Sequence, residues 1–230
     1  MDTAQRYTQL RTQLDEACLQ AGRAPEDVVL VAVSKTVDTD QVAQAMQGGC
    51  LDFGENRPDE LVRKAQAFPQ ARWHFIGNIQ SRRIPDIVQH ATLIHSVCKI
   101  SHLIKINAAA NRYDKVQYVM LEVNVSGERS KSGFSPVQVY GAIHAAVNMP
   151  NVRIVGLMTM APQGQPEAIV STFSGLKALR DRLVQKFQEE GVEVDLSELS
   201  MGMSEDWTVA VPYGTTIVRI GRAVFSDSFE

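Results

Sequence analysis

Short apolar runs and longer stretches with helical spacing alternate along this chain. The short runs are rich in β-branched residues, and several are apolar almost throughout, as strands buried on both faces are. The intervening stretches place apolar residues three and four positions apart, which is typical of helices that pack through one face. Eight apolar runs occur, at residues 28–34, 51–54, 73–77, 93–97, 118–125, 154–160, 198–201 and 216–220.

The stretches between the runs carry specific helix signals. Ser135, Pro136 and Gln138 predict a capping box with proline at the first helical position. A further helix is predicted before the first run, where Tyr7, Leu10, Leu14 and Cys18 have helical spacing. One long apolar stripe consists of Ile169, Phe173, Leu176, Leu179, Leu183 and Phe187.

Eight strand–helix units predict a (β/α)8 barrel of the α/β class, formed by residues 1–230 as a single domain. The chain ends about one turn after the last run, so we expect the first helix to take the place of a last outer helix. An open doubly wound sheet is the alternative. That fold would usually show a glycine-rich turn after the first strand, whereas Ser34, Lys35 and Thr36 follow it here.

Charge and cysteine content exclude several classes of protein. Lys and Arg number 23 against 26 Asp and Glu, a formal net charge of −3, so we expect no nucleic-acid partner. No apolar run approaches the ~18 residues that span a bilayer, and the first residues are too polar for a secretory signal. Cys18, Cys50 and Cys98 are odd in number and far apart, which favours free thiols in the cytoplasm.

Lys35 is the sharpest chemical signal, because it ends an almost wholly apolar strand. In a barrel the carboxyl ends of the strands carry the functional residues. We expect its ammonium at the barrel mouth with its stem among apolar neighbours, where desolvation favours the free amine and Schiff-base chemistry. The alternative is a lysine that only extends into solvent from a strand end.

The ends of the last two strands indicate a phosphate site. Ser200 and Gly202 lie at the end of the seventh run, and Arg219, Gly221 and Arg222 lie at the end of the eighth, where this fold usually binds phosphate. The alternative is that both glycines only relieve crowding. A lysine on the first strand together with a phosphate site on the last two suggests a phosphorylated aldehyde as ligand.

The remaining motifs are less informative. The segment 126–133 could be a mobile loop whose Lys131 and Arg129 contact anions, or simply a solvated charged loop. His90, His95, His102 and His144 lack the spacing of metal ligands, so a structural role is expected for each and no metal site is predicted.

Nine segments, in order along nearly the whole chain, carry a family resemblance: LVAVSKT, FGEN, WHFIGNIQ, IHSV, EVNVS, SKSGF, GLM, LSMGMS and VRIG. With them the chain resembles the pyridoxal phosphate homeostasis proteins (YggS/PROSC family). The resemblance implies a barrel like the N-terminal domain of alanine racemase, with pyridoxal 5′-phosphate (PLP) held as an internal aldimine on Lys35.

The resemblance also implies roles for further residues. Ser200 and the backbone at Gly221 and Arg222 would hold the phosphate. Arg219 would face the pyridine nitrogen and keep it unprotonated, which weakens the electron sink. Asn56 would lie beside the lysine. Arg222 stands where the family more often has Thr or Ser, so a hydroxyl contact to the phosphate is replaced by backbone or by a guanidinium.

Family members are thought to buffer PLP or deliver it to apo-PLP enzymes, so the resemblance implies intracellular PLP homeostasis with no catalytic residue and no turnover. From the chain itself we expect no membrane association, and a monomer, because no clear apolar interface stripe occurs. A PLP-dependent amino-acid racemase is an alternative. It needs a second acid or base, which alanine racemase takes from an additional domain, whereas the tyrosines here fall in predicted helices or at a strand start. A Schiff-base aldolase would need Asp or Lys at later strand ends, and none is found there.

Overall fold

The computed structural model describes residues 1–128 and 131–226, and a closed barrel of eight parallel strands lies at its centre. Each strand pairs with the next in chain order, and the eighth pairs with the first. The predicted (β/α)8 architecture is therefore confirmed. The strands are β1 (Val29–Val33), β2 (Asp52–Glu55), β3 (Arg72–Phe75), β4 (Leu93–Val97), β5 (Gln117–Glu122), β6 (Val152–Met158), β7 (Glu198–Ser200) and β8 (Ile217–Ile220).

Helices surround the barrel and follow the strands as the pattern predicts. Short 3₁₀ segments lie at Pro25–Asp27, Ser81–Arg83 and Val211–Tyr213. The α-helices are α1 (Thr3–Gln20), α2 (Thr39–Gln47), α3 (Pro58–Ala67), α4 (Ile84–His90), α5 (Ile100–Arg112), α6 (Pro136–Ala146), α7 (Pro166–Glu189), α8 (Trp207–Ala210) and α9 (Arg222–Phe225).

Helix α1 lies between α2 and α9, where α9 itself is only four residues long. The Arg6 Nε donates to the Val224 carbonyl over 2.9 Å, and the Arg11 Nη1 donates to the Val28 carbonyl over 2.8 Å. Its buried residues are those predicted from spacing, together with Thr3. The first helix therefore fills the place of a full-length last helix, as expected.

The other helix signals are also confirmed. Ser135 and Gln138 form the predicted capping box of α6, in which the Ser135 N–H donates to the Gln138 Oε1 over 3.0 Å. The apolar stripe of α7 is buried apart from Ile169, which is half-buried against the core. The predicted run 118–125 extends three residues past β5, because Val123 and Val125 pack on the core beyond the end of the strand.

Two apolar cores result from this arrangement. The larger one fills the space between the strands and the outer helices. The smaller one lies inside the barrel and consists of Val31, Leu93, Met120, Val155, Met158 and Ile217. The inner core is small because polar side chains share the barrel interior, and these polar groups build the site.

Membrane-spanning helices and disulfide bonds are the two features that the sequence predicts to be absent. No helix of residues 1–128 and 131–226 combines the length and the apolar character that crossing a bilayer requires. All three cysteines are free thiols, with Cys18 and Cys50 buried and Cys98 half-buried.

Candidate functional site

Lys35 lies in the turn that follows β1, at the mouth of the barrel. The Val37 N–H donates to the Ser34 carbonyl over 3.1 Å and closes this turn. The Lys35 side chain is exposed, and it forms no hydrogen bond or ion pair with the described part of the chain. The expected desolvation of its stem is therefore absent, because the turn carries the side chain beyond the apolar strand.

A buried ion pair holds the backbone just before Lys35. The Lys64 Nζ on α3 donates to the Ser34 carbonyl over 2.7 Å and to the Glu55 Oε1 over 2.6 Å. The Ser34 hydroxyl also donates to the Glu55 Oε1, over 2.7 Å. Ser34, Glu55 and Lys64 are completely buried, and the Glu55 Oε2 has no hydrogen-bond partner in the described structure. These buried hydrogen bonds fix the end of β1, from which Lys35 extends.

Asn56 follows β2 and is exposed at the neighbouring strand end. The register of Val33 opposite Gly54 brings the ends of β1 and β2 level with each other. Beyond β3, the backbone of Gly77 passes so close to Asn56 that a Cβ there would lie 2.0 Å from the Asn56 carbonyl oxygen. Glycine is required at this point, and the close approach fixes the position of Asn56 at the mouth.

Gly221 and Arg222 follow β8 on the other side of β1. Ala32 pairs with Ile220, and a Cβ on Gly221 would lie 3.2 Å from the Val33 carbonyl oxygen. The Gly221 N–H donates to no other backbone group in the described structure. The Arg222 guanidinium is exposed and forms an ion pair of 2.7 Å with Glu205. Its contact with Glu205 shows that the guanidinium is already engaged at the rim.

Arg219 and Ser200 lie deeper, inside the barrel. The Arg219 Nη1 donates to the Ser200 Oγ over 2.5 Å, and its Nη2 donates to the Thr159 carbonyl over 3.1 Å. Burial lowers the pKa of Arg219 to about 10, so the guanidinium remains charged at neutral pH. Ser200 is completely buried, and His95 contacts the other side of its hydroxyl. The hydroxyl expected on the phosphate therefore lies beneath Arg219 without exposed surface.

Three buried polar residues that the sequence analysis did not place in the site continue inward from Ser200. They are His95 on β4, His74 on β3 and Asp52 on β2. Both ring nitrogens of His95 are paired, as expected for a structural histidine, but one of the partners is the site residue Ser200. The missed signal was a polar residue at the inward-facing alternate position of otherwise apolar strands.

Two carboxyl groups add charge near Arg219. Burial raises the pKa of Glu122, at the end of β5, to about 7, although the charge of Arg219 opposes this shift. Burial also raises the pKa of Asp206, whose Oδ1 accepts the Met203 N–H over 2.6 Å.

Described residues of the loop after β5 form hydrogen bonds with one another and with the chain beyond β6. The Lys131 Nζ donates to the Met160 carbonyl over 3.2 Å and lies 3.6 Å from the Glu128 carboxylate. The Asn124 Nδ2 donates to the Glu128 carbonyl over 2.8 Å and folds the loop back. Arg129, the other expected anion contact, lies outside the described residues. Lys131 already has partners, so an anion would have to displace them.

No group of three or more His, Cys, Asp or Glu side chains suited to a metal ion occurs within the described ranges. The site instead combines one exposed primary amine, one buried guanidinium, backbone at Gly221 and an amide at Asn56. With these groups at its mouth, the barrel can hold a ligand that carries an aldehyde at one end and an anionic group at the other.

A comparison with protein families assigns the chain to a known class. Residues 12–228 match the family described as alanine racemase, N-terminal domain. Alanine racemase of Clostridium difficile has the same fold over 94% of this chain and 56% of its own, with a TM-score of 0.75 at 14% identity.

Relatives with higher sequence identity indicate a more specific family within this class. The pyridoxal phosphate homeostasis protein of Aquifex aeolicus is 34% identical over 99% of both chains, and that of Pseudomonas aeruginosa is 36% identical over 96% of this chain and 94% of its own. The structure of PipY from Synechococcus elongatus with PLP bound covers 98% of this chain and 100% of its own, with a TM-score of 0.85 and 29% identity. The chain belongs to the family of pyridoxal phosphate homeostasis proteins.

Proposed function

We propose that this protein binds PLP as a Schiff base on Lys35 and serves intracellular PLP homeostasis by buffering or delivery. The observation that carries the proposal is the position of Lys35. It is an exposed amine without a partner in the described structure. It lies in the turn after β1, which pairs with the strand before Gly221, and at the same mouth as the buried guanidinium of Arg219. The PLP-bound structure of PipY and the names of the relatives support the same ligand.

The residues present fit the cofactor. PLP supplies an aldehyde that condenses with amines and a ring that withdraws electrons. Lys35 would hold the cofactor through its aldehyde, with release of one water molecule, because its amine is exposed and has no partner in the described structure. The Gly221 N–H and the backbone at Arg222 suit a phosphate, whereas the Arg222 guanidinium would first have to leave Glu205.

Arg219 and Asn56 would complete the contacts. Arg219 stays protonated, so toward a ring nitrogen it can only donate, which disfavours a proton on that nitrogen. The Asn56 side chain would orient groups beside the lysine. Ser200 would act through Arg219, since its hydroxyl is enclosed.

We propose that no turnover accompanies binding. A racemase would need a second acid or base at the mouth. Tyr7, Tyr113, Tyr140 and Tyr213 lie in or beside helical segments, and Tyr118 lies at the start of β5, away from the carboxyl ends of the strands. We further propose a cytoplasmic monomer that passes PLP to apo-PLP enzymes.

An absorbance titration with PLP, followed by borohydride reduction and mass spectrometry, tests the proposal. The wild type should give a yellow band and a reduced adduct mapped to Lys35, and Lys35→Ala should give neither. Lys105→Ala, which changes an exposed lysine on α5, is the matched control and should behave as the wild type. No band in the wild type, or a band retained in Lys35→Ala, would sink the proposal and leave phosphorylated aldehydes to be screened.

Turnover and delivery need separate assays. The loaded protein should not exchange L- and D-alanine faster than free PLP does, and it should restore the activity of an apo-PLP enzyme. Exchange that depends on Lys35 would establish the racemase alternative. Failure to reactivate the apo-enzyme, despite a stable adduct, would leave buffering alone.

A further inference from the structure

A continuous line of buried hydrogen bonds crosses the barrel from Asp52 to Arg219. The His74 Nε2 lies 3.1 Å from the Asp52 Oδ1, and the His74 Nδ1 lies 2.9 Å from the His95 Nε2. The His95 Nδ1 lies 2.9 Å from the Ser200 Oγ, which accepts the Arg219 Nη1 over 2.5 Å. All five residues are less than one-tenth exposed.

The last links of this line cross the barrel interior. His95 is on β4 and Ser200 on β7, and two strands separate them in the sheet. Strand β7 has three residues, and a single residue pair, Ser200 with Ile217, joins it to β8. Backbone hydrogen bonds such as the one from the Met201 N–H to the Ile217 carbonyl also join the two strands. The bond from His95 therefore adds a contact from across the barrel to those that the sheet gives Ser200.

The two ends of the line determine where every proton lies. A guanidinium can only donate, so the Ser200 Oγ accepts from Arg219. Its one hydrogen can then be donated to the His95 Nδ1 when that ring nitrogen is unprotonated. His95 then carries its proton on Nε2, provided that it is neutral. Burial is the main cause that holds the pKa of His95 well below its usual value, which favours the neutral ring.

The hydrogen bonds at the Asp52 end of the line are consistent with donation in the same direction, from Ser200 toward Asp52. The His95 Nε2–H donates to the His74 Nδ1, so a neutral His74 carries its proton on Nε2 and donates it to Asp52. Asp52 is an acceptor. Its burial favours the neutral acid, but hydrogen bonds from His74 and Arg72 outweigh that effect and hold the pKa of this carboxyl below its usual value. The Arg72 Nε and Nη2 donate to Asp52 over 2.7 and 2.5 Å.

We propose that Asp52, His74 and His95 are positioning residues that form a one-way hydrogen-bond relay. The relay holds Ser200 beneath Arg219 and directs the single hydroxyl hydrogen of Ser200 into the barrel, away from any ligand. Arg219, with N–H groups that the relay does not use, is then the donor that the relay presents to a ligand at the mouth. The opposite direction would require one additional proton, on His74, and would release the Ser200 hydrogen.

Nuclear magnetic resonance on PLP-free protein with ¹⁵N-labelled histidine tests the direction of the relay. At neutral pH, His74 and His95 should each be neutral with the proton on Nε2. His95→Gln should change the signals of His74. The control His102→Gln, at a buried histidine of α5 outside the relay, should leave them unchanged. A doubly protonated His74, or a proton on the His95 Nδ1, would overturn the relay.

The second arm concerns the ligand and rests on the proposed function. His95→Gln, checked for folding by its melting temperature, should still form the Lys35 adduct, but with about tenfold weaker PLP affinity and a shifted visible band, since a buried bond that supports Arg219 is lost. Ser200→Thr, which keeps the hydroxyl, should retain more affinity than Ser200→Ala. Unchanged affinity and band in folded His95→Gln would contradict the positioning role. The absence of a band in the wild type would refute PLP binding, while the resonance result on the relay would stand.

Discussion

Two lysines meet at the end of strand β1 in opposite environments. Lys64 is completely buried, and its Nζ bonds to the Ser34 carbonyl and to Glu55. Lys35, the next residue after Ser34, is exposed and has no partner in the described structure. The buried amine is committed to holding the backbone, which leaves the exposed amine available for a ligand. The exposed lysine that we propose for covalent binding is thus positioned by a buried lysine that takes no part in that binding.

The largest expected effect comes from breaking the buried pair. Lys64→Met leaves Glu55 buried without a counter-charge, and we expect a loss of about 3–5 kcal/mol in the free energy of unfolding. Urea unfolding measures this loss. The double variant Lys64→Met with Glu55→Gln should recover part of it, because the uncompensated charge is removed. A loss below about 1 kcal/mol would mean that the pair is not the anchor of this strand end.

Glu122 extends the comparison of paired and unpaired charged groups to a carboxyl. It is buried near Arg219 but forms no hydrogen bond through its carboxylate in the described structure. Its folded pKa of about 7 exceeds the ordinary value of 4.5, so the stability present at low pH is lost as the pH rises toward and through 7. The free energy of unfolding of Glu122→Gln, relative to wild type, should therefore rise by about 2–3 kcal/mol between about pH 5 and pH 8.

The matched control for this effect is Glu16→Gln, at an exposed glutamate of α1. Urea unfolding of the PLP-free proteins at both pH values makes the comparison. A difference between Glu122→Gln and wild type that does not change with pH would show that burial does not disfavour the Glu122 carboxylate.

Arg222 at the rim should contribute little to stability. Its ion pair with Glu205 joins two exposed side chains, so Arg222→Thr should change the free energy of unfolding by less than about 1 kcal/mol, and less again at high salt. The same variant introduces the hydroxyl that the family resemblance leads us to expect here, so its PLP affinity tests whether the guanidinium or the backbone contributes at this position. A larger loss of stability would mean that Arg222 is a structural residue.

Lys35 should show the smallest effect on stability and the largest on function. Lys35→Ala removes no contact made within the described structure, so thermal unfolding should give a change within about 0.5 kcal/mol. The same preparation should lose the adduct entirely. If Lys35→Ala were strongly destabilising, the loss of PLP binding could not be assigned to chemistry, and Lys35→Arg would be the variant to compare.

Much of the fold could be predicted from the chain because its signals are local. Apolar runs, the capping box at Ser135 and the stripe on α7 each depend on residues a few positions apart. Lys35 could be found in the same way, as the polar residue that ends an apolar strand. Asp52, His74 and His95 are each marked by a polar residue in an otherwise apolar strand, but their pairing is not. Each partner lies on another strand, and the local sequence carries no information about it.

The sequence alone therefore determined the barrel, the order of its strands and the lysine at the mouth, since periodicity and strand ends are properties of short segments. Only the tertiary structure decided that Lys35 is exposed and Lys64 buried, and that Ser200 meets His95 across 105 residues of chain. Closing the barrel brings together side chains from strands that are not neighbours. Burial there makes each unpaired polar atom costly, so the interior selects a complete set of partners.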